Sequence, residues 1–241
     1  MQGIKFPWRM RLRRLSRFAV ALSGFALSVL TLTAQTQVSA NKNAEPALDG
    51  VPGPLTWQHA PAQWKIENGK TLSITADKQT DWYASAMGGA PSDNSARLLF
   101  KPTEDFALSA KVNVDFHSQW DAGVLVLYVN DEVWAKFCLE MTIEKHPAIV
   151  SVVTRGLSDD NNSIAINGSS VYLKIAKVGH AIYFFASEDG KNWSVIRIFS
   201  LGEKLDLRAG FSSQAPVGDR CTTTFTEIDY RPNIKDPWSG K

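Results

Sequence analysis

Residues 119–155 read QWDAGVLVLYVNDEVWAKFCLEMTIEKHPAIVSVVTR, which predicts three strands in succession. Val124 to Val129 is apolar throughout, the mark of a central strand covered on both faces. Asn130, Asp131 and Glu132 supply a turn. From Val133 to Met141 the odd positions (Val133, Ala135, Phe137, Leu139, Met141) are apolar, and the even ones are Trp134, Lys136, Cys138 and Glu140. A period of two sends these sets to opposite faces of a sheet. One face is core. The other presents an aromatic ring, an ammonium and a carboxylate in a row. At about 3.3 Å per residue, successive side chains on a face stand roughly 7 Å apart, so Lys136 and Glu140 are placed to meet each other or a common ligand. A solvated face with an incidental ion pair fits the same pattern, and both readings stand.

Outward from this stretch the chain keeps the same character. Leu108, Ala110, Val112, Val114 and Phe116 alternate with Ser109, Lys111, Asn113, Asp115 and His117, the half-buried pattern of an antiparallel sheet. Asn68-Gly69 sits between two short strand patterns and predicts a hairpin, because both residues tolerate positive φ. Asn167-Gly168 and Gly179-His180 are further turns. Short strands with frequent turns and no amphipathic helix predict an all-β fold, an antiparallel two-sheet jelly-roll sandwich. The domain is expected over 55–232, after a flexible arm at 41–54 and before a tail at 233–241.

The first forty residues predict a signal peptide. Lys5, Arg9, Arg11, Arg13, Arg14 and Arg17 form a basic region, Phe18–Leu32 is apolar but short for a membrane span, and Val38-Ser39-Ala40 suits cleavage. The mature chain then begins near Asn41, in the periplasm or outside the cell, with no membrane span. Losing six basic residues and no acidic ones turns the formal charge of +2 into −4. That excludes the basic footprint of a nucleic-acid binder.

Several short motifs carry a resemblance. They are Gln119-Trp120-Asp121-Ala122-Gly123, Val133-Trp134-Ala135-Lys136, Leu139-Glu140, and Val150 to Arg155 followed by Gly156-Leu157-Ser158-Asp159. Ser187 to Trp193 and Gly210 to Pro216 complete the set. In order and spacing the chain resembles a concanavalin A-like family of unknown function, typified by the yeast "regulation of enolase" protein and by small bacterial proteins of sugar-utilisation loci. The resemblance spans roughly residues 55–230. It implies a sandwich of the lectin and glucanase type, and a carbohydrate ligand. Family members often read Ser-Asp-Trp where this chain has Ser158-Asp159-Asp160, so one aromatic is missing.

Two functions from different classes follow. In the first, a carbohydrate-binding protein holds a glycan on the concave sheet face. Trp134 and Trp120, with Trp82 or Tyr83, supply stacking surfaces, and Lys136, Glu140, Arg155, His117 and Asp159 supply polar contacts. In the second, a glycan hydrolase or lyase uses Glu140 as acid or base, with Lys136 tuning it and Asp159, Asp121 or Asp115 as a second carboxylate. A nearby ammonium lowers a carboxylate's pKa, which suits a base or nucleophile. The Glu-x-Asp-x-x-Glu strand motif of jelly-roll glucanases is absent. No cofactor or metal site is expected: His59, His117, His146 and His180 lack zinc spacing, and Ser158 to Asn162 reads as a solvated turn rather than a calcium loop. Asp189-Gly190 reads as a structural turn. Cys138 and Cys221 permit one disulfide or two buried thiols.

Overall fold

Alternation along the chain builds two sheets whose apolar faces meet. The computed structural model describes residues 45–241; the predicted leader (1–40) and the start of the arm lie outside the described residues. Among the described residues no helix is long and apolar enough to cross a membrane. The strands are β1 (Thr56–Gln58), β2 (Gln63–Glu67), β3 (Thr71–Asp77), β4 (Trp82–Tyr83), β5 (Ser92–Asp93), β6 (Ala96–Phe100), β7 (Phe106–Asp115) and β8 (Ala122–Asn130). They continue as β9 (Val133–Met141), β10 (Pro147–Arg155), β11 (Leu157–Ala165), β12 (Ser170–Val178), β13 (Ala181–Ser187), β14 (Ser194–Phe199), β15 (Arg208–Gln214) and β16 (Arg220–Pro232).

The first sheet runs β1-β6-β15-β8-β9-β10-β11, the second β14-β13-β12-β7-β16-β3-β2, and β4 pairs with β5 as a separate hairpin. All the pairings are antiparallel. The fold is therefore the all-β two-sheet sandwich that the alternation predicts. Phe137 of β9 stacks on Phe184 of β13 across the core, with ring centroids 4.5 Å apart. Leu108, Ala110, Val112 and Val114 of β7 are buried in the same core, on the face predicted for them. Asn68 and Gly69 turn β2 into β3 with φ of 52° and 68°.

Three boundaries differ from expectation. Leu48 and Val51 belong to the main core, so the predicted arm is part of the sandwich from Leu48 onward. The predicted tail is also packed: Ile234 is buried beside Ala107, Ala176 and Phe185 on the outer face of the second sheet. Ser158 to Asn162 is no turn. It forms most of β11, the edge strand of the first sheet, paired with β10. The two cysteines are unpaired. Cys138 faces outward from the first sheet, while Cys221 lies in the main core.

Candidate functional site

Strand parity decides which side chains share the outer face of the first sheet. Trp134, Lys136, Cys138 and Glu140 of β9 pair with Thr154, Val152, Val150 and Ala148 of β10, and with Tyr128, Val126, Val124 and Ala122 of β8. The same face continues through Asp160 and Ser158 on β11, and through Ser212 and Gln214 on β15. It is not bare. The segment from Gln79 to Ser95, which contains the β4–β5 hairpin, lies across it. Thr80 bridges to Ala215 at one end. At the other, the Ala84 amide donates to Ser158 Oγ (3.0 Å) and the Ser158 amide donates to the Ala84 carbonyl (2.8 Å). Trp82 stacks on Trp134, centroids 4.0 Å apart, and the Arg97 guanidinium lies 4.4 Å over the Trp82 ring. Val124, Val126, Cys138, Val150 and Val152 complete a second, smaller apolar cluster beneath Trp82. This explains why Val124 to Val129 reads as covered on both faces.

Charged groups are embedded in that cluster. Lys136 is 3% exposed and Glu140 8%. Lys136 donates to Gln214 Oε1 (3.1 Å) and stands 3.9 Å from Asp81 Oδ1. It makes no close ion pair with Glu140, because four residues along one strand span about 13 Å of backbone. Among the described residues no donor is hydrogen-bonded to the Glu140 carboxyl. Burial raises its pKa to about 8; Lys136 opposes the shift, and Asp160 and Asp81 add to it. Glu140 is therefore mostly protonated at neutral pH, the reverse of the lowered pKa expected from Lys136, and of the acid and base roles it favours the acid. Desolvation outweighs the ammonium. Asp160 lies on the exposed edge strand, and partial desolvation raises its pKa too, against Lys136. The Tyr83 phenol is raised by burial and then by Asp160. Lys136, Glu140, Asp160, Asp81, Tyr83 and Gln214 thus form one electrostatic cluster.

The residues expected at the site divide. Lys136 and Glu140 are there. Trp134 is on the right face, but Trp82 covers it, so it offers no free stacking surface. Arg155 has the opposite parity: it pairs with Val133 and Leu157 and donates to the Ser200 carbonyl. Asp159 also points the other way and binds Arg197 at 2.9 Å; its neighbour Asp160 takes the place expected of it. His117 pairs with Asp115 at 3.0 Å, and Asp121 accepts from the amides of His117 and Ser118, away from Glu140. Trp120 is 39% exposed at the Glu140 end of β9. Its amide donates to the Met141 carbonyl (2.7 Å), and its own carbonyl accepts from Gln214 Nε2 (3.1 Å). Gln214 and Asp160 were missed, although each lies in a motif already singled out, and parity along its strand is the signal that finds it.

Solved structures share the architecture. A functionally unknown protein from Saccharomyces cerevisiae superposes with a TM-score of 0.70 at 20% identity, over 75% of this chain and 97% of that one. The GH43 protein BlXynB from Bacillus licheniformis gives 0.54 at 15% identity, over 76% of this chain and 37% of its own. A xylan β-1,4-xylosidase from Bacillus halodurans gives 0.53 at 16%, over 68% and 33%. This chain therefore spans about a third of the glycosidase chains it matches, and at these identities the likeness is one of fold. No curated protein matches the chain. The family model described as "Protein of unknown function (DUF1349)" matches residues 57–233, more than half the chain, and the protein belongs to that family.

Proposed function

We propose that the protein is exported and binds a glycan on the outer face of the first sheet, at the Glu140 end beside the Asp81–Tyr83 segment. The observation that carries this reading is Glu140 itself: a buried carboxyl without a hydrogen-bond partner among the described residues, on a face whose other buried groups are mostly apolar. At 8% exposure its oxygens keep some access to solvent, and a ligand hydroxyl that reaches them there gains a hydrogen bond in surroundings of low dielectric. Gln214, Lys136, Asp160 and Tyr83 supply further donors and acceptors nearby. Trp120 is the aromatic left exposed at that end. The fold shared with glycosidase chains supports a sugar as the ligand class without naming one.

A glycan array probed with the full chain, followed by calorimetry on any hit, tests this. Lys136→Met and Asp160→Ala are expected to weaken binding by roughly tenfold or more, about 1.4 kcal/mol each. An array without hits, or an unchanged Kd in both variants, ends the proposal. A second reading rests on the raised pKa of Glu140: a carboxylic acid protonated at neutral pH suits a proton donor to a leaving group. Release of reducing ends from the bound glycan, abolished by Glu140→Gln, would establish it. For export, the expected result is an extracytoplasmic protein whose intact mass corresponds to a start near Asn41; a retained leader contradicts it.

A further inference from the structure

The second sheet has a pocket of its own, on the side of the molecule opposite the first-sheet site. Parity turns Val171, Leu173 and Ile175 of β12 into the core and sends Tyr172, Lys174 and Ala176 outward. The packed C-terminal residues close one side. The result is a pocket of about 380 Å³ whose lining includes Tyr172, Lys174, Lys191, Trp193, Arg231 and Trp238. That volume lies in the range of small-molecule sites.

Lys174 is its unusual member. It is 6% exposed, yet among the described residues no carboxylate lies within ion-pair distance of it. Its ammonium sits 4.3 Å over the Phe185 ring and 4.6 Å over that of Trp193. It donates one bond, of 3.3 Å, to the Trp238 carbonyl. An ammonium has three donors, so two remain unspent. Two carboxylates also line the pocket, those of Glu227 and Asp229, and they and the nearby Asp236 are already engaged. Glu227 accepts from the Tyr172 hydroxyl (2.8 Å), Asp229 from Arg231 Nε (2.7 Å), and Asp236 from the amides of Trp238 (2.9 Å) and Ser239 (3.2 Å). Burial, and then Arg231, lower the Lys174 pKa and Asp236 opposes them; an anion bound beside the ammonium favours its charged form again. The walls beside it are indole rings, which take the flat apolar face of a sugar ring.

We infer that this pocket binds a uronate residue of an acidic polysaccharide, its carboxylate on Lys174 and its ring against Trp193 and Trp238. A neutral sugar leaves the buried ammonium unmatched; a small inorganic anion leaves the indoles unused. A free aromatic carboxylate shares the chemistry and is separated by experiment. The full chain is titrated with digalacturonate, with its methyl ester and with benzoate, and the indole N–H signals are followed by NMR. Digalacturonate is expected to shift Trp193 and Trp238 saturably, and the ester to bind at least roughly tenfold more weakly. Lys174→Met is expected to weaken digalacturonate binding by a similar factor, and Lys174→Arg to retain it. Should Lys174→Met fail to fold, Trp193→Leu serves instead, with the same loss expected. Equal binding of ester and acid, binding of benzoate alone, or no shift at either indole overturns the inference. Digalacturonate shifts confined to Trp120 also overturn it, and report binding at the first-sheet site instead.

Discussion

Trp82→Ala is expected to lower the melting temperature by about 10 °C. Truncating a buried tryptophan costs about 3–5 kcal/mol, and a domain of this size loses about 2–4 °C per kcal/mol. The cost is concentrated at Trp82 because it is the largest buried apolar side chain of the Gln79–Ser95 segment: it stacks on Trp134 and lies under the Arg97 guanidinium, with Tyr83 only partly buried beside it. Arg97 is buried and bonded to Asp93 in the same segment, at 2.5 Å. Undocking the segment therefore uncovers a charge as well as a ring. Hydrogen exchange should show lost protection at the amides of Ala84 and Ser158, which bond the segment to β11. Trp134 fluorescence should move to the red as water reaches it. A variant with unchanged melting and unchanged protection would show that the segment is held by something other than Trp82.

Raising the pH from about 5 to about 8 is expected to destabilise the protein by several kcal/mol through Glu140 alone. The carboxyl titrates near 4.3 in an unfolded chain and at about 8 when folded. Its contribution is fully present below the unfolded value and is lost as pH rises through the folded one. Between the two the unfolded state binds fewer protons, so stability falls by up to about 1.4 kcal/mol per pH unit. Glu140→Gln replaces a neutral acid with a neutral amide of the same shape. It should leave the melting temperature near its acidic value and remove most of this slope. Asp160, Asp81, Tyr83 and Lys136 face the same cluster and stay in both proteins, so the difference between the two pH profiles isolates Glu140. Parallel profiles would contradict the burial argument. Retained glycan binding by Glu140→Gln at neutral pH, with binding lost by Lys136→Met, would place the ligand's main polar contact on the ammonium.

What local pattern encodes was legible in the sequence. Alternation in β7 and β9 assigned core and outer faces correctly, since a side-chain period of two depends only on the backbone pleat. Asn68-Gly69 placed a hairpin, because positive φ is a property of those residues themselves. Asp189 holds the amides of Lys191 and Asn192, each at 2.8 Å, as a turn aspartate is expected to. Where the alternation is polar throughout, as in Ser158 to Asn162, no apolar residue marks one face. The strand reads as a loop, and the choice between Asp159 and Asp160 is lost with the register. Tertiary structure alone decided what covers the outer face. Nothing in Val133 to Met141 states that a segment some fifty residues earlier lays Trp82 over Trp134. That covering changes the chemistry: it turns an expected stacking surface into core, and it helps to desolvate Glu140 until the carboxyl keeps its proton. Sequence names the ionisable groups, but their pKa values follow from the water that the fold removes.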